Sequence, residues 1–284
     1  MDVEIDTKQI AQVQPEVQSI YKSVFPQGDT SFLAAAFEWA HACFLGNYKD
    51  YQPIDARYHD LEHTLQGTLC MARLLRGWSL AKAQPVLTER LFELGIIAIL
   101  LHDTGYLKKR DDLEGTGAKY TLIHVDRSIE FAAELLADKN CAPTEIKSVQ
   151  NMIRCTGLNV DLSSIPFDSE LERRVGFALG TADLLGQMAA RDYVEKLPVL
   201  YSEFAEAARF NPGKMPTAEL FGGPEELIQK TPLFWEKYVR AKIENQFQGV
   251  YRFLNDPYPG GKNCYINRID QNISRLRCQL EKAA

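Results

Sequence analysis

Three of the five histidines in this chain lie in two short segments whose spacing could hold a metal ion. His59 and His63 are four residues apart in the segment Tyr-His-Asp-Leu-Glu-His, so a helix would place them on one face. His102 and Asp103 stand together at the end of residues 94–101, the most hydrophobic run in the sequence. An imidazole and a carboxylate beside a buried helix cost free energy unless something pairs with them. The two segments therefore predict a site for a divalent metal.

The order of these residues along the chain resembles the HD superfamily of metal-dependent phosphohydrolases. His63 comes first, the adjacent His102 and Asp103 follow, and Asp183 comes last in the segment Gly-Thr-Ala-Asp-Leu-Leu-Gly-Gln. The resemblance covers roughly residues 57–187. It implies that these four side chains bind a metal that activates water to cleave a phosphoester. The donor set is compatible with Mn, Fe, Co, Ni, Zn or Mg, so the identity of the metal stays open.

His59 is the candidate general acid. The segment around it is similar to the Tyr-His-Asn-x-x-His motif of the cyclic-nucleotide phosphodiesterase branch, in which the first histidine protonates the leaving oxygen. Carried over, His59 would protonate the leaving group and His63 would bind metal. Asp60 replaces the asparagine of that motif, and no additional histidine follows Asp103 closely. We therefore do not predict a cyclic-nucleotide enzyme.

A second metal is an open alternative. By resemblance, Asp103 could bridge two metals or orient the attacking water, and His124 occupies a position where dinuclear HD enzymes often have an extra ligand. The further histidine expected on the next helix is missing from residues 151–157. The prediction is therefore one or two divalent metals per chain.

The substrate is expected to be a small phosphorylated molecule, and a nucleotide is one option. The lysine that several HD branches have after the His-Asp pair is replaced by Tyr106. Lys108, Lys109 and Arg154 are the candidates for phosphate binding instead, although such cations more often form a solvated surface. We expect residues 107–120 and the connector 211–233 to line or cover the site, since loops tend to carry specificity.

Two rival functions remain open at this stage. His59, Glu62 and His63 also fit the His-x-x-Glu-His signature of inverzincin peptidases, with Glu62 as general base and both histidines as zinc ligands. That alternative leaves His102 and Asp103 unexplained. The second rival is a non-catalytic HD scaffold that senses a nucleotide.

The bulk composition excludes some functions. A net charge of −6 argues against a protein that coats DNA, because no basic surplus exists to neutralise phosphates. The first residues lack the basic and apolar parts of a signal peptide, and no apolar run is long enough to span a bilayer. The six scattered cysteines suggest reduced, mostly buried thiols. We therefore expect a cytoplasmic protein without membrane partners, of unknown oligomeric state.

Hydrophobic periodicity is helical almost throughout and predicts a single all-α domain over residues 1–284. An HD core of about 57–187 would carry packed helices from 1–50 and from 190–284. The predicted helices are 8–25, 31–46, 59–77, 85–102 (opened by Pro85), 123–137, one starting near 144, 171–209 with an interruption near Pro198, 233–254 and 264–281. Residues 108–117 are expected to form a loop, 211–233 an irregular connector, and 255–261 a turn.

Overall fold

The structure, a computed structural model, describes residues 5–214 and 221–283 and is helical almost throughout. The ten α-helices in these ranges are α1 (Ile10–Val24), α2 (Ser31–Phe44), α3 (Leu61–Leu80), α4 (Glu89–Leu101), α5 (His124–Asp138), α6 (Pro143–Arg154), α7 (Glu170–Met188), α8 (Tyr193–Phe210), α9 (Pro224–Leu233) and α10 (Cys264–Ala283). The only strands in the same ranges are β1 (Asn255–Asp256) and β2 (Lys262–Asn263), which pair antiparallel. The all-α class predicted from the sequence is confirmed.

The centre of the molecule is built on α3, α4 and α7. Every residue of α4 from Phe92 to Leu101 is buried, so this helix has no solvent face and must be enclosed by its neighbours. It packs against α2, α3, α6 and α7. In the described part of the chain, α3 and α7 form the most extensive helix pair. The helices that carry the predicted metal ligands therefore lie side by side in the core.

The terminal helices pack onto this centre. At one end of the chain, α1 contacts α2 and α3, and at the other end α10 contacts α7, α8 and α9. The buried face of α10 consists of Tyr265, Ile269, Ile273 and Leu276, whose spacing of three and four residues forms one helical stripe. The outer helices are thus held by amphipathic faces against the central bundle.

Two helices begin later than the sequence predicts. The helix expected from residue 59 begins at Leu61, because the Asp60 side chain accepts a hydrogen bond from the His63 backbone N–H at 2.9 Å and caps the helix. The helix expected to open at Pro85 begins at Glu89, where Thr88 is the capping residue. In these two helices, capping hydrogen bonds decide the first residue, and hydrophobic periodicity does not. His59 therefore lies on the turn before α3 and not on its face.

The expected interruption near Pro198 was also wrong. The chain breaks at residues 189–192 instead, and Pro198 is the sixth residue of a continuous α8. A proline inside a helix removes one backbone hydrogen bond and costs about 3 kcal/mol. Pro198 is exposed, while Tyr193, Val194 and Leu197 beside it are buried. The packing of this buried face holds α8 together despite the proline.

The region after α8 differs from prediction in two places. The connector predicted over 211–233 contains α9, which opens with Pro224 at its first position, where the missing N–H costs nothing. Residues 215–220 of that connector lie outside the described residues. The single helix predicted over 233–254 is instead two wider π-helical turns (Phe234–Val239 and Lys242–Gln246) and a 3₁₀ turn (Val250–Leu254). Gly249 separates them with a φ of 67°, a left-handed conformation that ends a helix.

Two observations bear on the predicted environment of the protein. The described helices include none with the length and apolar character needed to cross a bilayer. All six cysteines are free; Cys43, Cys70 and Cys155 are buried, whereas Cys264 and Cys278 are exposed. The thiols are therefore unpaired as expected, but burial applies to only part of them.

Candidate metal centre

Three helices bring the four candidate ligands together. His63 lies in the first turn of α3, and His102 and Asp103 follow directly after α4. Asp183 lies in the middle of α7. His63 is 4%, His102 1% and Asp103 2% exposed. Because α3, α4 and α7 pack against one another, side chains 120 positions apart in sequence meet in one buried cluster.

The donor atoms of these side chains lie close to one another. The Nε2 atom of His63 lies 3.1 Å from Asp103 Oδ2 and 3.3 Å from Asp183 Oδ1. The Nε2 atom of His102 lies 3.1 Å and 3.4 Å from the same two oxygens. Ligands that bind one metal at about 2.1 Å are about 3.0 Å apart in neighbouring octahedral positions and about 3.4 Å apart in a tetrahedron. The four distances are those of neighbouring ligands around one ion. The donor atoms of His63, His102 and Asp103 all lie within 4.8 Å of one another, and Asp183 approaches this group through the two histidines.

The residues fit a metal because two buried acceptors face each other. His102 Nδ1 lies 2.7 Å from the carbonyl oxygen of Ile99, and as the donor in that hydrogen bond it leaves Nε2 with a lone pair. This Nε2 and Asp103 Oδ2 are both fully buried, and neither makes a hydrogen bond. Burying unpaired polar atoms costs about 1–3 kcal/mol each. A cation between them would satisfy both atoms.

The electrostatics of the cluster also favour a cation. Burial lowers the pKa of His63, but the carboxylates of Asp103 and Asp183 outweigh burial and raise it to about 9. The pKa of His102 is raised well above its usual value, since the same carboxylates again outweigh burial. Burial raises the pKa of Asp103 and of Asp183, but the two imidazoles hold both well below the usual range. The raised pKa values mean that the two carboxylates hold protons on the imidazoles when no metal is bound, and a divalent metal would take the place of these protons.

Gln187 and Tyr58 support Asp183 and were not singled out by the sequence. Gln187 Nε2 donates to Asp183 Oδ1 at 3.1 Å, one helical turn along α7. The Tyr58 hydroxyl donates to Gln187 Oε1 at 2.9 Å. Outer hydrogen bonds of this kind orient ligands and are often as important as the ligands themselves. The spacing of four between Asp183 and Gln187 was the available sequence signal for this contact.

Two glycines allow α3 and α7 to approach at the level of the cluster. Gly186 follows Asp183 by three residues, and Gly67 follows His63 by four. A Cβ atom built on Gly186 would lie 2.8 Å from the backbone nitrogen of Gly67 and 2.9 Å from the carbonyl of Gln66. Such distances are shorter than any ordinary contact. The missing side chain at Gly186 therefore lets the two helices place His63 next to Asp183.

His124 lies at the edge of the cluster. Its Nε2 atom is 3.9 Å from Asp103 Oδ1, while the other carboxylate oxygen of Asp103 faces His63 and His102. His124 Nδ1 is 2.7 Å from the Thr121 carbonyl oxygen. Burial lowers the pKa of His124, so the imidazole is held neutral and able to act as a ligand. His124 Nε2 and Asp103 Oδ1 are thus the two donors that the expected second metal would have here.

A close backbone contact brings His124 to this place. Thr104–Tyr106 form a 3₁₀ turn after the His-Asp pair, and a Cβ on Gly105 would lie 1.9 Å from the His124 carbonyl oxygen. The Gly105 backbone N–H donates to Ser128 Oγ at 2.8 Å. The glycine two residues after Asp103 thus lets the start of α5 approach the cluster.

His59 has a partner that the sequence did not reveal. His59 Nδ1 lies 2.6 Å from Glu203 Oε2, and the other oxygen of Glu203 accepts the backbone N–H groups of Arg57 and Tyr58 at 2.6 and 2.7 Å. Burial raises the pKa of Glu203, but His59 and these hydrogen bonds outweigh it and hold that pKa below its usual value. Glu203 belongs to α8, far from His59 in sequence, so no local spacing could have indicated the pair.

Tyr106 stacks on two of the histidines. Its ring centroid lies 4.5 Å from that of His59 and 4.7 Å from that of His124, with interplanar angles of 13° and 21°. The hydroxyl of Tyr106 is buried and makes no hydrogen bond within the described structure. Tyr106 therefore keeps both imidazoles in place and presents an unpaired polar group beside them.

The three cations proposed to bind phosphate lie elsewhere. Lys108 is buried and pairs with Asp55 at 2.9 Å, and Lys109 pairs with Asp50 at 2.7 Å. Arg154 ends α6 and does not line the cavity at the cluster. The two lysines turn away because the loop after Tyr106 pairs with residues 50–55, as in the backbone hydrogen bond from Gln52 to Lys108. The structure does not bring these three residues to the cluster.

A cavity of about 330 Å³ opens beside the cluster. His59, His63, Asp103, His124 and Asp183 form its polar end. The apolar residues that line the rest are Leu158 before α7, Leu184 and Met188 of α7, Leu197, Leu200 and Phe204 of α8, and Phe221, Leu227 and Phe234 around α9. The described part of the connector thus lines the cavity as expected, whereas residues 107–120 do not.

Part of the chain matches a known protein family. Residues 111–257, just over half of the chain, match the model of the Npun_R2479-like family. The chain belongs to that family. The matched segment includes His124, Asp183 and Glu203, while His63, His102 and Asp103 precede it. The description of the family names no reaction, and no curated protein matches the chain in sequence.

Proposed function

We propose that this protein is an HD-type metal-dependent phosphohydrolase. The observation that carries the proposal is the pair of buried, unsatisfied atoms His102 Nε2 and Asp103 Oδ2, with His63 Nε2 and Asp183 Oδ1 beside them. His63, His102, Asp103 and Asp183 would hold the metal. When bound, a divalent metal lowers the pKa of a water and neutralises charge on phosphoryl oxygens.

The remaining residues would orient water and move a proton. Asp103 faces His63 and His102 with its Oδ2 atom, so its Oδ1 atom could accept a hydrogen bond from the attacking water. His59 would donate a proton to the leaving oxygen, because it lines the cavity and is held by Glu203. The carboxylate of Glu203 stabilises the protonated imidazole and fixes its orientation. His59 and Asp103 thus stand as the acid and the water-orienting residue.

The peptidase alternative is not favoured. Glu62 would have to be the general base beside the metal, but its carboxylate pairs with Lys196 at 2.8 Å and lies outside the lining of the cavity. His59 is not on α3 with His63, so the two do not share a helical face. A peptidase of this type would need a glutamate beside the metal and both histidines on one face of the helix.

The first test is elemental analysis of tag-free protein. We expect near-stoichiometric metal in the wild type, loss of metal in His102→Ala, and retention in the control His41→Ala, a histidine on α2 outside the cluster. The metal-replete protein is then assayed with phosphomonoesters and phosphodiesters. Metal without turnover of any ester would refute catalysis and support the alternative of a sensing scaffold. Equal metal content in wild type and His102→Ala would refute the site itself.

A further inference from the structure

The cavity beside the metal cluster has one polar end and one apolar wall. Five side chains of the wall come from two adjacent helices, α7 and α8: Leu184, Met188, Leu197, Leu200 and Phe204. Apolar pockets with a few convergent polar groups bind ligands whose own polarity is divided in the same way. The part of the substrate away from the cluster should therefore be apolar.

The described lining offers little to a polyphosphate. Apart from the histidines, its one cationic residue is Lys230, whose ammonium group pairs with Glu226 at 2.6 Å. No arginine is found among the described residues that line the cavity. A chain of phosphates needs several cationic contacts, because each ionised phosphate must be compensated when it leaves water. The cluster at the polar end can compensate one phosphoryl group.

Three polar side chains of the wall are already used within the protein, and the unpaired Tyr106 hydroxyl lies at the polar end, where its ring stacks on His59 and His124. Thr156 Oγ1 donates to the Ile153 carbonyl at 2.9 Å, and Thr231 Oγ1 donates to the Leu227 carbonyl at 2.7 Å. The amide of Gln187 is bound to Asp183 and Tyr58 at its two ends. Recognition of a nucleobase depends on free donors and acceptors that match its edge. These three side chains do not supply them.

Two apolar residues of the lining are also exposed to solvent. Leu158 and Phe234 both line the cavity, yet they are 51% and 39% exposed. Exposed apolar side chains that continue a pocket to the surface mark the route of an apolar ligand. At about 30 Å³ for each water-sized group, the cavity holds on the order of ten such groups. A phosphoryl group and a short carbon chain would fill it.

From these observations we infer that the substrate is a monophosphate ester of a small apolar alcohol. The inference rests on the proposed function and names its substrate class. In the reaction, the oxygen of water bonds to phosphorus, and the bond between phosphorus and the alcohol oxygen breaks. His59 protonates that oxygen, and a proton from the water restores His59. The products are the alcohol and inorganic phosphate.

The test is a chain-length series on the full-length, metal-replete protein. Ethyl, butyl, hexyl and octyl phosphate are compared with adenosine monophosphate by phosphate release. Each buried methylene is worth about a threefold to fourfold gain in kcat/KM, so the values should rise with chain length until the cavity is full. Alkyl phosphates should also exceed adenosine monophosphate. A flat series, or preference for the nucleotide, would overturn the inference while leaving phosphohydrolase activity in place.

A binding measurement separates the inference from the proposed function. Alkylphosphonates of the same lengths, which cannot be hydrolysed at a C–O–P bond, are titrated calorimetrically into metal-replete protein. If no ester is turned over but affinity rises about threefold per methylene, catalysis fails and the apolar ligand class stands. If affinity is independent of chain length, the inference fails whatever the activity.

Two variants locate the effect in the wall. Leu200→Asn keeps a branched side chain of four heavy atoms but makes the half-buried wall polar, so the gain per methylene should fall. Leu80→Asn, at an exposed leucine outside the cavity, should match the wild type. An equal gain per methylene in Leu200→Asn and the wild type would overturn the placement of the alkyl chain against this wall. Phosphatidic acid in vesicles should not be hydrolysed, and its preference over the soluble esters would refute a small substrate.

Discussion

The contact between Gly186 and Gly67 allows a sharp test of how the helices position the metal ligands. In Gly186→Ala, the new Cβ would lie 2.8 Å from the backbone nitrogen of Gly67, whereas ordinary contacts start at 3.4 Å. The helices must therefore separate by about 0.6 Å, since neither backbone can move aside on its own. Metal ligands tolerate shifts of about 0.2 Å. The displacement is about three times that tolerance.

The expected consequence is loss of metal affinity with a modest loss of stability. Separation of α3 from α7 moves Asp183 away from His63, and we expect metal binding to weaken about 10- to 100-fold, as when supports of ligands are removed. Overpacking costs about 1–3 kcal/mol, and the better helix propensity of alanine returns about 1 kcal/mol. The net destabilisation should be about 0–2 kcal/mol.

Gly67→Ala is the matched control at the same crossing. Its Cβ would meet the side chain of Ile99 at 3.3 and 3.4 Å, and the tip of that side chain can move. We expect wild-type metal affinity and equal or slightly higher stability. Metal content and affinity are measured by elemental analysis and calorimetry, and stability by denaturant unfolding. Wild-type affinity in Gly186→Ala, or equal losses in both variants, would refute the argument from close approach.

Three further predictions concern the acid and the ligands. His59→Ala should keep its metal but lose about 10²- to 10⁴-fold in kcat on alkyl esters. The loss on p-nitrophenyl phosphate should be smaller, because its leaving group needs no proton. Equal losses on both substrates would contradict the role of His59 as the acid. Glu203→Gln should lower kcat by about 10²-fold or more on alkyl esters at unchanged metal content, because the protonated imidazole loses its charge partner; wild-type kcat would contradict the pairing. In metal-free protein the pKa of His63 is raised to about 9, so the stability due to its protonation is complete below about 6.5 and disappears as the pH rises through 9. Metal binding displaces this proton, so the increase in Tm caused by metal should grow between pH 6.5 and 9, and a pH-independent increase in calorimetric scans would contradict the assignment of His63.

Much of the fold could be predicted from local patterns. The all-α class and most helices follow from hydrophobic periodicity, which is a property of neighbouring residues. The errors came where capping or packing decides. Asp60 and Thr88 cap helices that periodicity starts too early, and Pro198 is tolerated because the opposite face of α8 is buried. These cases depend on which groups are capped or covered, and hydrophobic spacing does not record that.

The sequence by itself determined which side chains are candidate metal ligands, and the tertiary structure decided what surrounds them. His63, His102, Asp103 and Asp183 are recognisable because metal binding needs these side-chain types on helices that can pack together. The pairing of His59 with Glu203, the destinations of Lys108 and Lys109, and the apolar wall from α7, α8 and α9 are contacts between distant segments. Such contacts arise only when whole helix faces are packed, so no spacing along the chain specifies them.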